Sequence, residues 1–320
     1  MVLPTTASCW PSGSESDAQR VTTAIRNESF QIGGDLLVRR SGFGAMQLTG
    51  PGIWGPPRDR ANAVAVLRRA VDLGVNFIDT ADVYGPGDNE RLIREALHPY
   101  PPDLVIATKA GLVRSGPGTR TNPGFSVNGT PAHIRRAVDG SLRDLGVERI
   151  GLYQLHRVDP ATPIEETMDV FRALRKEGKI KHIGLSEVGV EQIERARAVV
   201  EIATVQNVYS LANRRHDNVL AHCESCGIGF IPFWPLHLQA LAGSEPLARI
   251  AVQTASTPSQ VALAWLLNKS AATILIPGTS SVAHLEENVA AREVELSDAQ
   301  MRELEQLGKN IVPRVSVDVR

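Results

Sequence analysis

The sequence contains few cysteines. It has three among 320 residues, Cys9, Cys223 and Cys226, and so odd and sparse a set excludes a disulfide framework and fits a reducing compartment. Cys223 and Cys226 have the C-x-x-C spacing, but the second pair of ligands that a zinc site needs is lacking. We therefore expect two thiols on one helical turn and no metal site.

Long apolar runs and an excess of charge of either sign are also lacking. No run approaches the roughly 18 apolar residues of a membrane span, and residues 1–29 lack the basic and apolar regions of a signal peptide, so a cytoplasmic protein is expected. Lys and Arg together number 34 against 35 for Asp and Glu, which argues against a nucleic-acid partner. A small-molecule partner is the expectation.

Residues 1–29 have scattered polarity without a clear period, which predicts a loosely ordered tail. A single domain is expected over 30–320. It begins with two short apolar runs between Phe30 and Val38, joined across Gly33-Gly34, a pattern typical of a β-hairpin. Such a hairpin could close one end of the following fold.

Beyond the hairpin, short apolar or β-branched runs alternate with helical patterns. The predicted strands are Phe43–Met46, Val75–Ile78, Leu104–Thr108, Ile150–Leu155, Ile180–Leu185, Thr204–Gln206, Ile228–Ile231 and Thr273–Ile276. Three of the intervening helices carry start signals: Thr130-Pro131, a capping box at Thr162-Pro163-Ile164-Glu165, and Thr257-Pro258-Ser259-Gln260.

Helices with one apolar face, alternating with strands apolar on both faces, indicate a parallel sheet covered by helices. Eight such units favour closure into a (β/α)8 TIM barrel, an α/β fold, with an N-terminal hairpin cap and extra C-terminal helices. The alternative is an open doubly wound sheet, whose nucleotide-binding form needs G-x-G-x-x-G after the first strand. The run Gly42-Phe-Gly44-Ala-Met46 lacks the third glycine, so the barrel is favoured.

Four polar side chains follow or end predicted strands, where the active sites of such barrels lie. Asp79 follows the second strand and Tyr84 lies five residues later, while Lys109 and His156 come directly after the third and fourth strands. We expect these four side chains to meet at one mouth of the barrel.

This placement, in the segment Asn-Phe-Ile-Asp-Thr-Ala-Asp-Val-Tyr-Gly, resembles the aldo-keto reductase family. The resemblance runs from about Phe30 to Leu307 and includes Ile183-Gly-Leu-Ser186 and Ile276-Pro-Gly-Thr-Ser-Ser281. It implies nicotinamide-dependent reduction of an aldehyde or ketone, with Tyr84 as the proton donor. A neighbouring Lys109 ammonium, fixed by Asp79, would lower the pKa of the phenol, and His156 would orient the carbonyl.

The resemblance also implies the cofactor contacts. Ser186 and Gln206 would hold the nicotinamide carboxamide, and Phe233 would stack on the ring. Glu187 stands where the family usually has Asn, and a carboxylate cannot donate to the carboxamide oxygen. The other implied contacts are Gly44, Ala45, Met46, Asp79, Trp234, Pro235, Leu236, Ile276, Gly278, Thr279, Ser280, His284, Glu287 and Asn288.

The segment Gly278–Ser281, before a helix expected from about Val282, is expected to bind the adenosine phosphate. It contains neither the Lys or Arg of many NADPH-using relatives nor the acid typical of NAD specificity. We favour NADP(H) as the cofactor, with NAD(H) as the alternative.

Aromatic side chains and one cation are expected around the substrate: Trp54, Tyr84, His156, Arg157, Tyr209 and Trp234. This combination suits a planar or aromatic carbonyl compound, including an anionic one. Three segments resemble a bacterial branch that includes pyridoxal reductases: Gly42–Leu48, Pro51–Pro57 and Ile276–Leu285. Pyridoxal is therefore the first substrate to test.

Two other functions are open to a sequence of this kind. Lys109 could form a Schiff base in an aldolase-like barrel, but this leaves Tyr84 and the Gly278–Ser281 segment unexplained. Some relatives in the family are cofactor-sensing regulatory subunits of channels. The complete set of four side chains favours an enzyme.

Overall fold

A computed structural model describes residues 28–119, 121–122, 124–236 and 241–310. The predicted tail therefore lies almost wholly outside the described residues. The fold is the predicted (β/α)8 barrel, built on one parallel sheet. Its strands are β3 (Phe43–Gly44), β4 (Phe77–Asp79), β5 (Val105–Ala110), β8 (Ile150–Leu155), β9 (Ile180–Ser186), β10 (Thr204–Val208) and β11 (Gly229–Phe233).

The barrel closes through the eighth predicted strand, Thr273–Ile276. This segment makes single parallel bridges on both sides, Phe230 with Thr273 and Ser41 with Leu275. Its backbone amides at 274 and 275 donate to the carbonyl oxygens of Phe230 and Arg40. The segment therefore joins β11 to the chain just before β3, which removes both open edges of the sheet.

Helices follow the barrel strands, as the sequence predicts. They are α1 (Arg60–Asp72), α2 (Asp88–Leu97), α3 (Pro131–Leu145), α4 (Ile164–Lys176), α5 (Val190–Arg197), α6 (Asp217–Ser225), α7 (Glu245–Gln253), α8 (Pro258–Lys269), α9 (Val282–Ala290) and α10 (Asp298–Asn310). Their buried faces pack with the outer side of the sheet in one hydrophobic core. No helix in the described ranges is long and apolar enough to cross a membrane.

Two of the three predicted helix starts match the structure in detail. Thr257 forms a reciprocal capping box with Gln260 at the start of α8, and Thr130 precedes Pro131 at the start of α3. The capping box predicted at Thr162 is wrong. The Thr162 hydroxyl donates to Asp159 instead, and α4 begins one residue after Pro163. Asp159 also accepts the amide of Ala161, so this carboxylate organises the turn in place of Thr162.

The predicted hairpin is present as β1 (Ser29–Ile32) and β2 (Leu36–Arg39), which pair antiparallel. Gly33 and Gly34 take φ values of 58° and 80° in its turn, a region that favours glycine. Ile32 and Val38 of the hairpin pack with Phe77 and other side chains of the barrel interior. The hairpin therefore covers the barrel at the end where the strands begin. A second hairpin, β6 (Leu112–Arg114) and β7 (Phe125–Val127), lies near the opposite end.

Two glycines let the chain segments at the barrel mouth approach each other closely. A Cβ on Gly44 would lie 2.6 Å from the carbonyl oxygen of Ile276, and one on Gly278 would lie 2.8 Å from that of Gly44. Both distances are too short for any side chain to be accommodated without a shift. The end of β3 is thereby held against the start of the Gly278–Ser281 segment.

Candidate active site

The carboxyl ends of three adjacent strands bring the four predicted catalytic side chains together. Asp79 is the last residue of β4, Lys109 lies near the end of β5, and His156 directly follows β8. Tyr84 lies in the loop between β4 and α2. The side chains of Asp79, Tyr84 and His156 line one cavity at the barrel mouth, and Lys109 is fully buried beneath it.

Lys109 forms the centre of this cluster. Its Nζ lies 2.6 Å from Oδ1 of Asp79, 2.9 Å from the carbonyl oxygen of Thr80 and 3.5 Å from the hydroxyl of Tyr84. A buried ammonium is stable only where its charge is paired and its hydrogens find acceptors. Asp79 and Thr80 supply the paired charge and two acceptors. The third hydrogen of the ammonium is left for the hydroxyl of Tyr84.

The second carboxylate oxygen of Asp79 is held by two side-chain amides. Oδ2 accepts from Nε2 of Gln206 at 2.9 Å and from Nε2 of Gln154 at 3.2 Å. Sequence reasoning missed Gln154. The signal was present, because Gln154 is a polar residue inside a predicted strand that is otherwise apolar, and such a residue needs a polar partner within the barrel.

Burial raises the pKa of the Tyr84 phenol above its ordinary value of 10.0, and the nearby Lys109 charge opposes the rise without cancelling it. The expected lowering by Lys109 is thus present as a contribution, but the net direction is upward. The Tyr84 hydroxyl therefore carries its proton at neutral pH. Burial lowers the pKa of Lys109, but Asp79 and Tyr84 outweigh burial, so its net pKa lies above 10.5 and the ammonium stays charged.

The imidazole of His156 lies beside Tyr84, with ring centroids 6.0 Å apart in an edge-to-face arrangement. Burial, followed by the charges of Lys109, Arg157 and Arg114, holds the pKa of His156 well below 6.5. Its Nδ1 is buried without a hydrogen-bond partner among the described residues. The ring is therefore neutral near pH 7 and can donate one hydrogen bond.

Eleven of the eighteen residues predicted to contact a cofactor line this same cavity. They are Gly44, Met46, Asp79, Ser186, Gln206, Phe233, Trp234, Pro235, Leu236, Ile276 and Gly278. The cavity also includes Gln47 and Pro277, which sequence reasoning missed. Both are direct chain neighbours of predicted residues, so extending the predicted segments by one residue would have included them.

The remaining predicted cofactor residues lie outside the cavity lining. Thr279 and Ser280 continue the chain beyond Gly278, and Ser281 caps α9, which begins at Val282 as predicted. Glu287 accepts from the hydroxyl of Thr257, Asn288 is buried, and His284 is exposed. Ala45 is buried in the core. Apart from Ala45, this second group extends from the cavity along α9 as far as Asn288.

Glu187 is turned away from the cavity. Its backbone has a φ of 54°, in the left-handed region, and its Oε1 accepts from the amide of Val208 at 2.6 Å. Its other carboxylate oxygen pairs with Arg215. Both carboxylate oxygens of Glu187 therefore bond to protein groups outside the cavity lining.

Of the six predicted substrate residues, four line the cavity and two do not. Arg157 and Trp234 line the cavity together with Tyr84 and His156. Trp54 is 38% exposed and lies on the rim. Its neighbour Ile53 contacts the Tyr84 loop, because the Ile53 carbonyl oxygen accepts from the amide of Gly85.

Tyr209 occupies a different environment from the one expected. Its side chain is 1% exposed, stacks on Trp265 and bonds through its hydroxyl to Asp217. Tyr209 is part of the packing behind the barrel wall.

The two cysteines of the C-x-x-C pair lie at the end of α6, one helical turn apart as predicted. Cys223 is buried and Cys226 is partly exposed. The Cys226 thiol groups with Glu194 and His222, whose potential ligand atoms all lie within 4.8 Å of one another. Arg197 donates to both Glu194 and Cys226 and so places a positive charge in that group.

A buried Asp-Lys pair behind a tyrosine, with a histidine beside it, at the mouth of a (β/α)8 barrel defines the class of protein. The model of the aldo/keto reductase family matches residues 41–309. The chain therefore belongs to the aldo/keto reductase family of oxidoreductases, as the sequence resemblance predicted.

Among curated proteins, the chain is 46% identical over 278 residues to an uncharacterized oxidoreductase of Schizosaccharomyces pombe, covering 87% of this chain and 89% of that protein. It is 44% identical over 282 residues to the pyridoxine 4-dehydrogenase of Escherichia coli, covering 86% and 97%.

Solved structures include a glycerol dehydrogenase of Gluconobacter oxydans, with a TM-score of 0.79, 26% identity and coverage of 90% and 97%. An aldo-keto reductase of Klebsiella pneumoniae in complex with NADPH has a TM-score of 0.74, 25% identity and coverage of 91% and 99%.

Proposed function

We propose that this protein reduces an aldehyde or ketone to the alcohol with NADPH, and that Tyr84 donates the proton. The observation that carries the proposal is the buried Lys109 ammonium, held by Asp79 at 2.6 Å and lying 3.5 Å from the Tyr84 hydroxyl. Reduction of a carbonyl group needs a proton on its oxygen as the carbon gains a hydride, so that no free alkoxide forms. Tyr84 lines the cavity, carries a proton on its hydroxyl, and has the Lys109 ammonium beside that hydroxyl.

The electrostatics of the cluster suit a proton donor. The raised pKa of Tyr84 keeps the phenol protonated before the reaction. When the proton leaves, the phenolate forms next to an ammonium that is already fixed in place, so the new charge is stabilised without rearrangement of the protein. Asp79 positions Lys109 and keeps it charged throughout.

His156 orients the substrate. Because its low pKa keeps the ring neutral, it can donate a hydrogen bond to the carbonyl oxygen without adding another charge to a cavity that already has Lys109 and Arg157 nearby. Together, Tyr84 and His156 define where that oxygen lies. The carbonyl carbon is then presented to the region of Ser186, Gln206 and Phe233.

The residues around the cavity fit a nicotinamide cofactor. When bound, NADPH supplies the hydride. Gln206 donates its amide to Asp79, which leaves its carbonyl oxygen for the carboxamide NH2, and Phe233 offers a ring face at the cavity wall. The hydroxyls of Thr279 and Ser280, before α9, would bind the phosphate of the adenosine half. The complex of the Klebsiella pneumoniae aldo-keto reductase with NADPH supports NADP(H) over NAD(H).

A planar aromatic aldehyde is the proposed substrate class, with pyridoxal first. The relative at 44% identity is a pyridoxine 4-dehydrogenase, a name that implies conversion between an alcohol and the corresponding aldehyde. The cavity supports the same class, because Tyr84, Phe233 and Trp234 supply aromatic surface beside the polar groups.

The test is a panel of carbonyl compounds, including pyridoxal, benzaldehydes, simple ketones and sugar aldehydes, with NADPH or NADH consumption followed at 340 nm. We expect turnover of pyridoxal and aromatic aldehydes, with higher kcat/KM for NADPH than for NADH. Tight NADPH binding without reduction of any compound would instead favour the regulatory-subunit alternative. Absence of NADPH binding would favour Schiff-base chemistry at Lys109.

A further inference from the structure

We propose that Arg157 holds the oxygen of the nicotinamide carboxamide, a role that Glu187 cannot fill. The inference rests on the proposed function, since it concerns how the cofactor is bound. It assigns to the cofactor side a residue that the sequence placed with the substrate contacts.

The first observation is the hydrogen-bonding capacity of Gln206. The Asp79 carboxylate faces the Lys109 ammonium and acts as a hydrogen-bond acceptor, so its 2.9 Å contact with Gln206 uses the amide nitrogen. Gln206 therefore offers the cavity an acceptor. Its carbonyl oxygen can bind the NH2 of a carboxamide, while one of the two hydrogens on its nitrogen is given to Asp79.

The second observation is that Glu187 cannot supply the missing donor. A carboxylate has no hydrogen to donate, and both of its oxygens are already bonded, to the amide of Val208 and to Arg215. Donors to the carboxamide oxygen must therefore come from residues other than Glu187 at the neighbouring strand ends.

Arg157 meets this requirement. Its Nη1 lies 3.0 Å from Oγ of Ser186 and 2.7 Å from the carbonyl oxygen of His156, while Nη2 and Nε bond to no acceptor among the described residues. The guanidinium also lies 5.7 Å from the centroid of Phe233, the ring proposed to stack on the nicotinamide. A partly buried guanidinium with unused donors, lining the cavity, favours binding to a ligand oxygen.

The contact with Ser186 strengthens the argument. Because Ser186 accepts from Arg157, its own hydroxyl hydrogen is free, and no acceptor for it exists in the described part of the chain. Ser186 and Arg157 can then donate together to the two lone pairs of one carbonyl oxygen, while Gln206 accepts from the NH2. This set of two donors and one acceptor matches a carboxamide in a single orientation.

The experiment compares cofactor binding by the wild type, Arg157→Leu and Arg157→Lys. Dissociation constants are measured by fluorescence for NADPH and by calorimetry for adenosine 2′,5′-bisphosphate, which lacks the nicotinamide. Arg215→Leu is the matched control, because it also removes one guanidinium at this strand end but outside the cavity. Thermal unfolding reports whether each variant is folded.

We expect Arg157→Leu to weaken NADPH binding by at least tenfold, the size expected for a charge-assisted hydrogen bond, and to leave adenosine 2′,5′-bisphosphate binding within about twofold. Arg157→Lys should lie between, and Arg215→Leu should match the wild type. Equal losses for both ligands would indicate a merely structural role and overturn the inference. Unchanged NADPH binding, with a raised KM only for anionic aldehydes, would overturn it in favour of substrate recognition.

A second measurement compares two cofactors on the same protein, so a partial loss of stability in a variant affects both affinities alike. Thionicotinamide NADP+ replaces the carboxamide oxygen with sulfur, a weaker acceptor. The wild type should bind it more weakly than NADP+, and Arg157→Lys should discriminate less between the two. Equal discrimination in both proteins would overturn the inference. A wild type that binds no NADPH would overturn the proposed function itself.

Discussion

Nζ of Lys109 lies 2.6 Å from Oδ1 of Asp79, and the two side chains are 0% and 4% exposed. A charge pair this deeply buried at the end of two adjacent strands is costly to desolvate, so each partner depends on the other. The pair fixes an ammonium beneath Tyr84. The chemistry proposed for Tyr84 and the stability of the barrel mouth therefore share one interaction.

Asp79→Asn should test this dependence through stability. It leaves the Lys109 charge buried without its counter-ion, and we expect the free energy of unfolding to fall by about 3–5 kcal/mol. Chemical denaturation followed by circular dichroism measures the change. The double variant Asp79→Asn/Lys109→Met, which removes both charges, should recover much of the loss while remaining inactive. An Asp79→Asn protein as stable as the wild type would show that the pair is not needed for folding.

Glu90 should make stability depend on pH. It is buried in α2, accepts from Thr108 at 2.7 Å, and burial raises its pKa from 4.5 to about 7. Between these values the unfolded chain has lost a proton that the folded protein retains. The Glu90 contribution to stability is therefore present below about pH 4.5 and is lost as pH rises toward 7.

Glu90→Gln removes this titration. The stability difference, variant minus wild type, should rise by on the order of 1–3 kcal/mol between pH 4.5 and pH 8. Unfolding curves at several pH values measure it, with Glu95→Gln on the exposed side of the same helix as the control. A difference that is the same at both pH values would mean that Glu90 ionises normally in the folded protein.

Glu187→Gln should leave cofactor affinity nearly unchanged. In the structure Glu187 bonds to Val208 and Arg215 rather than facing the cavity, and a glutamine can still accept from the Val208 amide. We expect NADPH dissociation constants within about twofold of the wild type. A tenfold change would place Glu187 at the cofactor after all, as the sequence resemblance implied.

Phe233→Leu should weaken NADPH binding by about three- to tenfold, because a stacked aromatic ring contributes roughly 0.5–1.5 kcal/mol beyond its apolar area. The same substitution at Phe30, in the hairpin at the other end of the barrel, is the control. Fluorescence titration of both variants gives the comparison. Equal affinities for NADPH would remove Phe233 from the cofactor site.

The sequence predicted the barrel well because its signals are local and repeated. Proline and threonine at the helix starts, glycine in the hairpin turn and the alternation of strands with helices each have one backbone explanation. The error at Thr162 is of a different kind. Asp159 competes for the same turn, and that competition depends on a fold that brings Gly129 next to Asp159.

The candidate site was predicted less evenly. The positions of Asp79, Lys109 and His156 were predictable from the ends of the predicted strands, because a parallel barrel brings all such ends to one mouth. Orientation was not predictable, because it depends on contacts between distant residues. Glu187 turns away to meet Arg215, Tyr209 turns away from the cavity to stack on Trp265, and Gln154 turns into the barrel to hold Asp79.

Proton donation from Tyr84 to the substrate can be tested directly. Tyr84→Phe removes only the hydroxyl, so the measurement is NADPH consumption with pyridoxal by this variant and by the wild type, alongside NADPH binding by both. We expect unchanged cofactor affinity and a loss of turnover of about 10²–10⁴-fold. Turnover within about threefold of the wild type, in a variant that binds NADPH normally, would contradict it.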